Sequence, residues 1–392
     1  MWLVRIVAAS SARFGEKDDG TSYDLAGIKI PAWLTYTVLL FIVTRAMLMA
    51  IGVMAYQVIR HMSLDGPSEW LRVWNVWDSA NYIDIAQYGY FVPLDQTKMA
   101  NYAFFPLYPL LMRLFDMAFG DPAVSGLIIS NACLLISCFF LYRLVRLESD
   151  GRTAMRSIKY LFLFPTAFIL SGILSESLFL ALSLACIYYA KKDNWALAGT
   201  AGFFTSLTRP YGIVIAIPVL YEYLRSKDFK LSGARADLLF LLLIPAGISV
   251  YALYCYGLMG DPLSFLHVQA AWGGRISDPV TQLWGRLFSP NNTAEVLFEA
   301  YFTLAALVAM ALSYKKIGFS LWLYGLLLIL IPLSTPSSAW SMARYILVAF
   351  PLFIAFARFG ENKKVDVAAT AGMALLQGVL MALWTTWGYF IV

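Results

Sequence analysis

The chain has 392 residues, 60% of them hydrophobic and 14% charged, with a formal net charge of +5. Several apolar runs approach the roughly 18–20 residues that cross a bilayer, so the composition excludes a soluble enzyme built on one large core. The positive charge does not point to nucleic acid, because its meaning depends on the side of the membrane it occupies.

The N-terminal MWLVRIVAAS is too short for a cleavable signal peptide and is followed by Glu16, Asp18 and Asp19. It reads as a short interfacial helix. Spans are then expected at 33–58, 122–146, 157–172, 174–190, 194–208, 210–225, 237–259, 294–313, 317–334, 343–358 and 366–390. The predicted architecture is all-α, a polytopic membrane protein of about 11 transmembrane helices. The whole of 1–392 is one integral membrane domain, with no internal repeat and no separate soluble domain. With the N-terminus in the cytoplasm, roughly two thirds of the 29 Lys and Arg residues fall on the inner side, a positive-inside bias.

Two outer loops, 61–121 and 260–293, are long. Residues 104–119 mix Arg113 and Asp116 with Phe, Leu and Met, and are expected to lie in the interface plane. DPLSFLHVQAAW, 261–272, is a second interfacial segment. Cys133, Cys138, Cys186 and Cys255 sit in apolar runs without metal or disulfide spacing. They read as packing residues. Two histidines, His61 and His267, are too few for a histidine-rich metal site.

The unusual polar residues fall on the outer side of this map. Asp78, between Trp77 and a helix-like run, is the leading candidate for a general base. Its other reading is an N-cap, since a carboxylate opening a helix satisfies free N–H groups. On a helix over 78–89, Asn81, Tyr82 and Ile85 share its face, whereas Asp84 points about 120° away. Glu176, after Ser175, is either a site residue or a dipole-complementing acid behind a serine cap. Arg209 in LTRP is either a site residue or a cation closing a helix before Pro210. Arg344 opens a span on the outer side, where the helix dipole disfavours a cation, so an anionic partner such as a lipid phosphate is expected. Its alternative is snorkelling to headgroups. His267, Trp272 and Arg275 either contact substrate or decorate an interfacial helix. Asn291-Asn292-Thr293 is a glycosylation sequon of a kind that chance often supplies.

Taken in order, WDSANYIDIAQYGY, NYAFFPLYPLLMR, LFPTAFILSGILSESLFL, LTRPYG, GDPLSFLHVQAAW and ARYILVAFPLF resemble the glycosylphosphatidylinositol mannosyltransferase II family and its prokaryotic relatives. The resemblance spans about 70–357. It implies a C-type glycosyltransferase architecture, with interfacial helices in the first outer loop. It also implies a polyprenyl- or dolichyl-phosphate hexose donor, here mannose, and a lipid or glycan acceptor. Transfer would proceed with inversion on the non-cytoplasmic face, with Asp78 as base. Arg344 and Arg209 would meet the donor phosphate, and Trp77, Asn81, Tyr82, Glu176, His267 and Arg275 would meet substrate. Eukaryotic members often carry histidine where Asn81 stands, and they are longer. Both features imply a prokaryotic relative in a plasma membrane. No cofactor or metal is expected, since arginine can neutralise a monophosphate leaving group and no DxD-like motif is present. The rival reading is a flippase or transporter of polyprenyl-linked glycans, which predicts mid-membrane charges on broken helices and an inverted repeat.

Overall fold

The computed structural model describes residues 22–25, 28–91, 101–233, 235–268, 277–335 and 341–387. Residues 1–21, Trp272 and Arg275 lie outside the described residues.

The described chain is predominantly helical. A two-stranded antiparallel ribbon precedes the first helix, pairing Ser22–Leu25 (β1) with Ile28–Pro31 (β2) and setting Tyr23 opposite Ile30. It corrects the all-helical expectation; Tyr23, Ile28 and Ile30 are residue types that favour strands. Pro31, whose ring ends strand pairing, then opens α1, Ala32–Ile59.

Next come α2, Ser79–Tyr88, α3, Leu107–Phe119, and α4, Pro122–Val145. The middle of the chain forms α5, Gly151–Leu163, α6, Glu176–Lys191, α7, Trp195–Ser206, and α8, Ala216–Ser226. A 3₁₀ stretch, Ala236–Leu242, runs into α9, Leu243–Met259. The remainder is α10, Pro279–Phe288, α11, Ala294–Ser313, α12, Phe319–Leu333, α13, Met342–Leu347, α14, Pro351–Phe359, and α15, Lys363–Thr385.

Among the described residues, five stretches are long and apolar enough to cross a membrane: α1, α4, Ala236–Met259, α11 and α15. Three of the other expected spans are not single α-helices, and a proline marks the break in two of them. The span expected at 157–172 is α5 followed by a 3₁₀ turn, Ala167–Ser171; Phe164, before Pro165, is forced out of the helical region. The span expected at 210–225 begins as a 3₁₀ turn, Pro210–Ile215, before α8. The span expected at 343–358 is divided between α13 and α14, where Pro351 supplies no N–H.

The first break is the more consequential, because irregular backbone at membrane depth is tolerated only where protein satisfies it. Here Gln377 of α15 donates to the carbonyls of Phe162 and Phe164, at 2.9 and 3.0 Å. Arg45 of α1 donates to the Ala167 carbonyl at 3.1 Å. Ser130 of α4 donates to the Leu174 carbonyl at 3.3 Å, and Ser177 to that of Leu170. Thr166 reaches the Ala343 carbonyl at 3.1 Å. Segment 164–175 is thus bound on several sides, and it delivers Glu176 at a fixed point.

Helix α3 packs Tyr108 and Met112 inward and exposes Leu110, Leu114 and Met117, one turn or nearly one turn apart. That is the pattern of an interfacial helix. Helices α7 and α9 meet at backbone distance. A Cβ on Gly247 would stand 2.2 Å from the Phe203 carbonyl oxygen. Gly247→Ala should therefore lower stability by ~1–3 kcal/mol, the scale of overpacking, read as a lower unfolding temperature in detergent. An unchanged temperature would show that these helices are not in such close contact.

Candidate functional site

The site begins with a strained turn. Trp77 has φ of +58°, a conformation that costs a non-glycine residue of order 1–3 kcal/mol. Its indole N–H donates to the Trp384 carbonyl at 3.1 Å, and its ring lies 5.0 Å from that of Trp387. The buried Trp384 also abuts Gly172, where a Cβ would be 3.2 Å from the indole. Trp384 therefore buttresses the turn before Asp78 and the segment before Glu176 together.

Asp78 occupies the N-cap position of α2, but its side chain caps nothing. The carboxylate turns instead to Arg344, whose Nη1 it meets through Oδ2. Arg344 Nε donates to Oε1 of Glu176, which is wholly buried. Arg209 Nη1 approaches the same oxygen at 2.6 Å, as a charge contact rather than an aligned hydrogen bond. The four residues form a chain of alternating charge, Asp78–Arg344–Glu176–Arg209. Asp78 keeps 31% of its side chain exposed, whereas Arg344 and Arg209 keep 8% and 9%. The carboxylate of Asp78 is the accessible end.

Around this chain, Arg209 lies over the rings of Tyr211 and Tyr345, at 5.9 and 5.4 Å. Burial works against its charge, but Glu176 outweighs burial and holds the guanidinium above its usual range. Tyr82 and Ser175 share a hydrogen bond of 2.9 Å. Burial, reinforced by Glu176, pushes the Tyr82 phenol up to about 12, so it stays protonated. The second oxygen of Glu176, Oε2, is buried and has no hydrogen-bond partner among the described residues.

Several expectations change here. Ser175 does not cap α6 with its side chain; its hydroxyl is spent on Tyr82. Arg209 does not close a helix, because α7 ends at Ser206 and Arg209 has extended backbone before the 3₁₀ turn. The anions that meet Arg344 in the structure are two of the protein's own carboxylates. Tyr82 and Ile85 are buried, Asn81 is half-buried and Asp84 is exposed, as the face argument requires. His267 is not drawn into the cluster. Its side chain is 69% exposed and pairs with Asp261 at 2.7 Å, holding that carboxyl below its ordinary range.

One contributor went unread in the sequence. Glu299 of α11 is buried, and its Oε2 accepts the backbone N–H of Ala343 at 2.7 Å, anchoring the residue before Arg344. The available signal was a carboxylate inside the apolar run EVLFEAYFTL. Among the described residues, no group of three or more His, Cys, Asp or Glu side chains is placed to hold a metal ion.

Residues 66–226 match the model of the family described as Mannosyltransferase (PIG-V). That stretch contains Asp78, Glu176 and Arg209, while Arg344 lies beyond it. No curated protein matches the chain significantly. Among solved structures, the chain is similar to the Archaeoglobus fulgidus oligosaccharyltransferase tethered with an acceptor peptide, with TM-score 0.45 and 11% identity over 91% of this chain and 55% of that one. It is also similar to the archaeal oligosaccharyltransferase from the same organism in complex with an inhibitory peptide and a dolichol-phosphate, with TM-score 0.42, 11% identity, and coverage of 91% and 55%. The chain spans about half the length of these solved chains.

Glu176→Gln removes the anion shared by two buried arginines. It should destabilise the protein by on the order of 3–5 kcal/mol, the scale for breaking a buried pair. Denaturant unfolding in detergent measures this, and a loss below about 1 kcal/mol would show that the pairing is weak.

Proposed function

We propose that the protein is a membrane glycosyltransferase that moves a hexose, mannose, from a polyprenyl- or dolichyl-phosphate donor to a hydroxyl of a lipid or glycan acceptor. The observation that carries this reading is the accessible Asp78 carboxylate. It lies within the stretch matched by a mannosyltransferase family and is held by Arg344 at the end of a buried charge chain.

In the proposed reaction the acceptor hydroxyl attacks the anomeric carbon. A new C–O bond forms there as the bond to the phosphate oxygen breaks. Asp78 takes the acceptor proton, and the lipid phosphate leaves with the bonding electrons, so the anomeric configuration inverts. Arg344 and Arg209 stabilise the charge that grows on the phosphate. The free Oε2 of Glu176 accepts from a sugar hydroxyl, which gives its missing hydrogen bond a purpose. Trp77, Asn81 and Tyr82 line the approach from α2 and the turn before it. His267 and Arg275, in the second expected outer loop, would contact substrate from there.

The bias of basic residues supports placing this chemistry on the non-cytoplasmic face, with the N-terminus inside. A cysteine introduced at position 95 should react with an impermeant reagent from outside, and one at position 228 only from inside. The reverse pattern ends the proposal. The direct assay incubates purified protein with labelled polyprenyl-phosphate mannose and candidate lipid acceptors, then identifies the product.

Asp78→Asn keeps the side chain's size and its ability to accept a hydrogen bond from Arg344, but removes the proton acceptor. Turnover should fall by roughly 10²–10⁴-fold with folding intact. Asp84→Asn, on the exposed face, should turn over normally. If Asp84→Asn abolishes turnover and Asp78→Asn does not, the base has been misassigned.

A further inference from the structure

Arg45 stands midway along the 28-residue α1, where a charged side chain is costly and marks function more often than packing. The transfer chemistry above makes no use of it. Its Nη1 donates to the Ala167 carbonyl at 3.1 Å and to Ser171 Oγ at 2.9 Å, and the Ser171 hydroxyl in turn donates to Asn131 Oδ1 at 2.7 Å. These partners are neutral. Its Nη2 is buried and has no hydrogen-bond partner among the described residues. The carboxylates nearby are committed elsewhere. Asp78 and Glu176 already match Arg344 and Arg209, and Glu299 accepts from the backbone N–H of Ala343.

Arg45 nevertheless lies close to the site. Ser171, which it holds, precedes Glu176 by five residues in the pinned segment. Two turns further along α1, Gly52 packs against Val73, five residues before Asp78. That places Arg45 roughly 10 Å toward the middle of the span from the level of Val73, at 1.5 Å per residue.

We infer that Arg45 is a positioning residue for the donor: its uncompensated charge, beneath the neutral Asp78–Arg344–Glu176–Arg209 chain, is the fixed counter-charge for a monoanionic lipid phosphodiester. This rests on the donor proposed above. A phosphodiester brings one negative charge into the site, and its leaving phosphate gains a second as the C–O bond breaks. A fixed positive charge in a poorly screened interior favours both events without touching the phosphate. The cost of holding that charge within the span is offset only when the anion arrives.

The test separates charge from hydrogen bonding. Full-length protein in phosphatidylcholine nanodiscs is titrated with polyprenyl phosphate and with its neutral twin, polyprenol. Arg45→Gln retains an amide that can reach the Ala167 carbonyl but loses the charge. Its Kd for polyprenyl phosphate should rise at least about tenfold, the effect of each unit of ligand charge roughly a dozen Å away at a protein's effective dielectric. Its Kd for polyprenol should not change. Arg45→Lys and Ser171→Ala keep the charge and should bind both ligands like the wild type. Equal binding of polyprenyl phosphate by wild type and Arg45→Gln overturns the inference alone. So does a loss in Arg45→Lys as large as that in Arg45→Gln, which would leave Arg45 only the tether of segment 164–175. If Arg45→Gln fails to fold, loss of phosphate binding in either charge-retaining variant overturns it. A wild type that ignores polyprenyl phosphate removes both the inference and the donor assigned above.

Discussion

Two carboxylates and two guanidiniums share a site with little access to water, and the structure is organised around keeping them together. Removing such charges from water costs several kcal/mol each, and mutual attraction repays this only when geometry is good and no member is left alone. The alternating order Asp78, Arg344, Glu176, Arg209 meets that condition. The chain ends on a carboxylate that water and substrate can reach. The proposed base is therefore held in place from behind, by an arginine with its own anchor in Glu176.

Four distant parts of the sequence must converge for this to happen, and straight helices would not bring them together. The proline-broken stretch 164–175 lets Glu176 start a helix inside the protein, and Gln377, Arg45, Ser130 and Thr166 tie that irregular segment to its neighbours. The strained turn at Trp77 aims Asp78 away from its own helix, and Trp384 braces it. Glu299 holds the backbone of α13 from below, next to Arg344. Strain and buried polar groups gather where the chemistry is proposed, as is usual for sites whose stability cost is met by surrounding packing.

Much of this could be read from residue order. Periodicity separated Asp78 from Asp84, and the structure turns a half-buried Asp78 toward Arg344 and leaves Asp84 exposed. The dipole argument singled out Arg344 as needing an anion, although it did not foresee that Asp78 and Glu176 would supply one. Hydropathy located four of the five long apolar helices to within about one residue, whereas α15 starts and ends a few residues earlier than expected. It could not show that the stretches at 157–172, 210–225 and 343–358 are broken, because an apolar run looks alike in an unbroken helix and in two short ones. The prolines were visible, but which of them end a helix depends on whether neighbours can satisfy the freed backbone groups. Glu299 escaped notice for the same reason: its role is a contact with a residue 44 positions away.

The central claim is that Asp78 activates the acceptor for direct displacement at the anomeric carbon, with no sugar bound covalently to the enzyme on the way. The stereochemistry of the product tests it most directly. Transfer from a donor of defined anomeric configuration should give a single product of the opposite configuration, read from the anomeric coupling by nuclear magnetic resonance. A product that retains the donor's configuration would contradict the account, because it requires a second displacement and a nucleophile where the structure is read as holding a base.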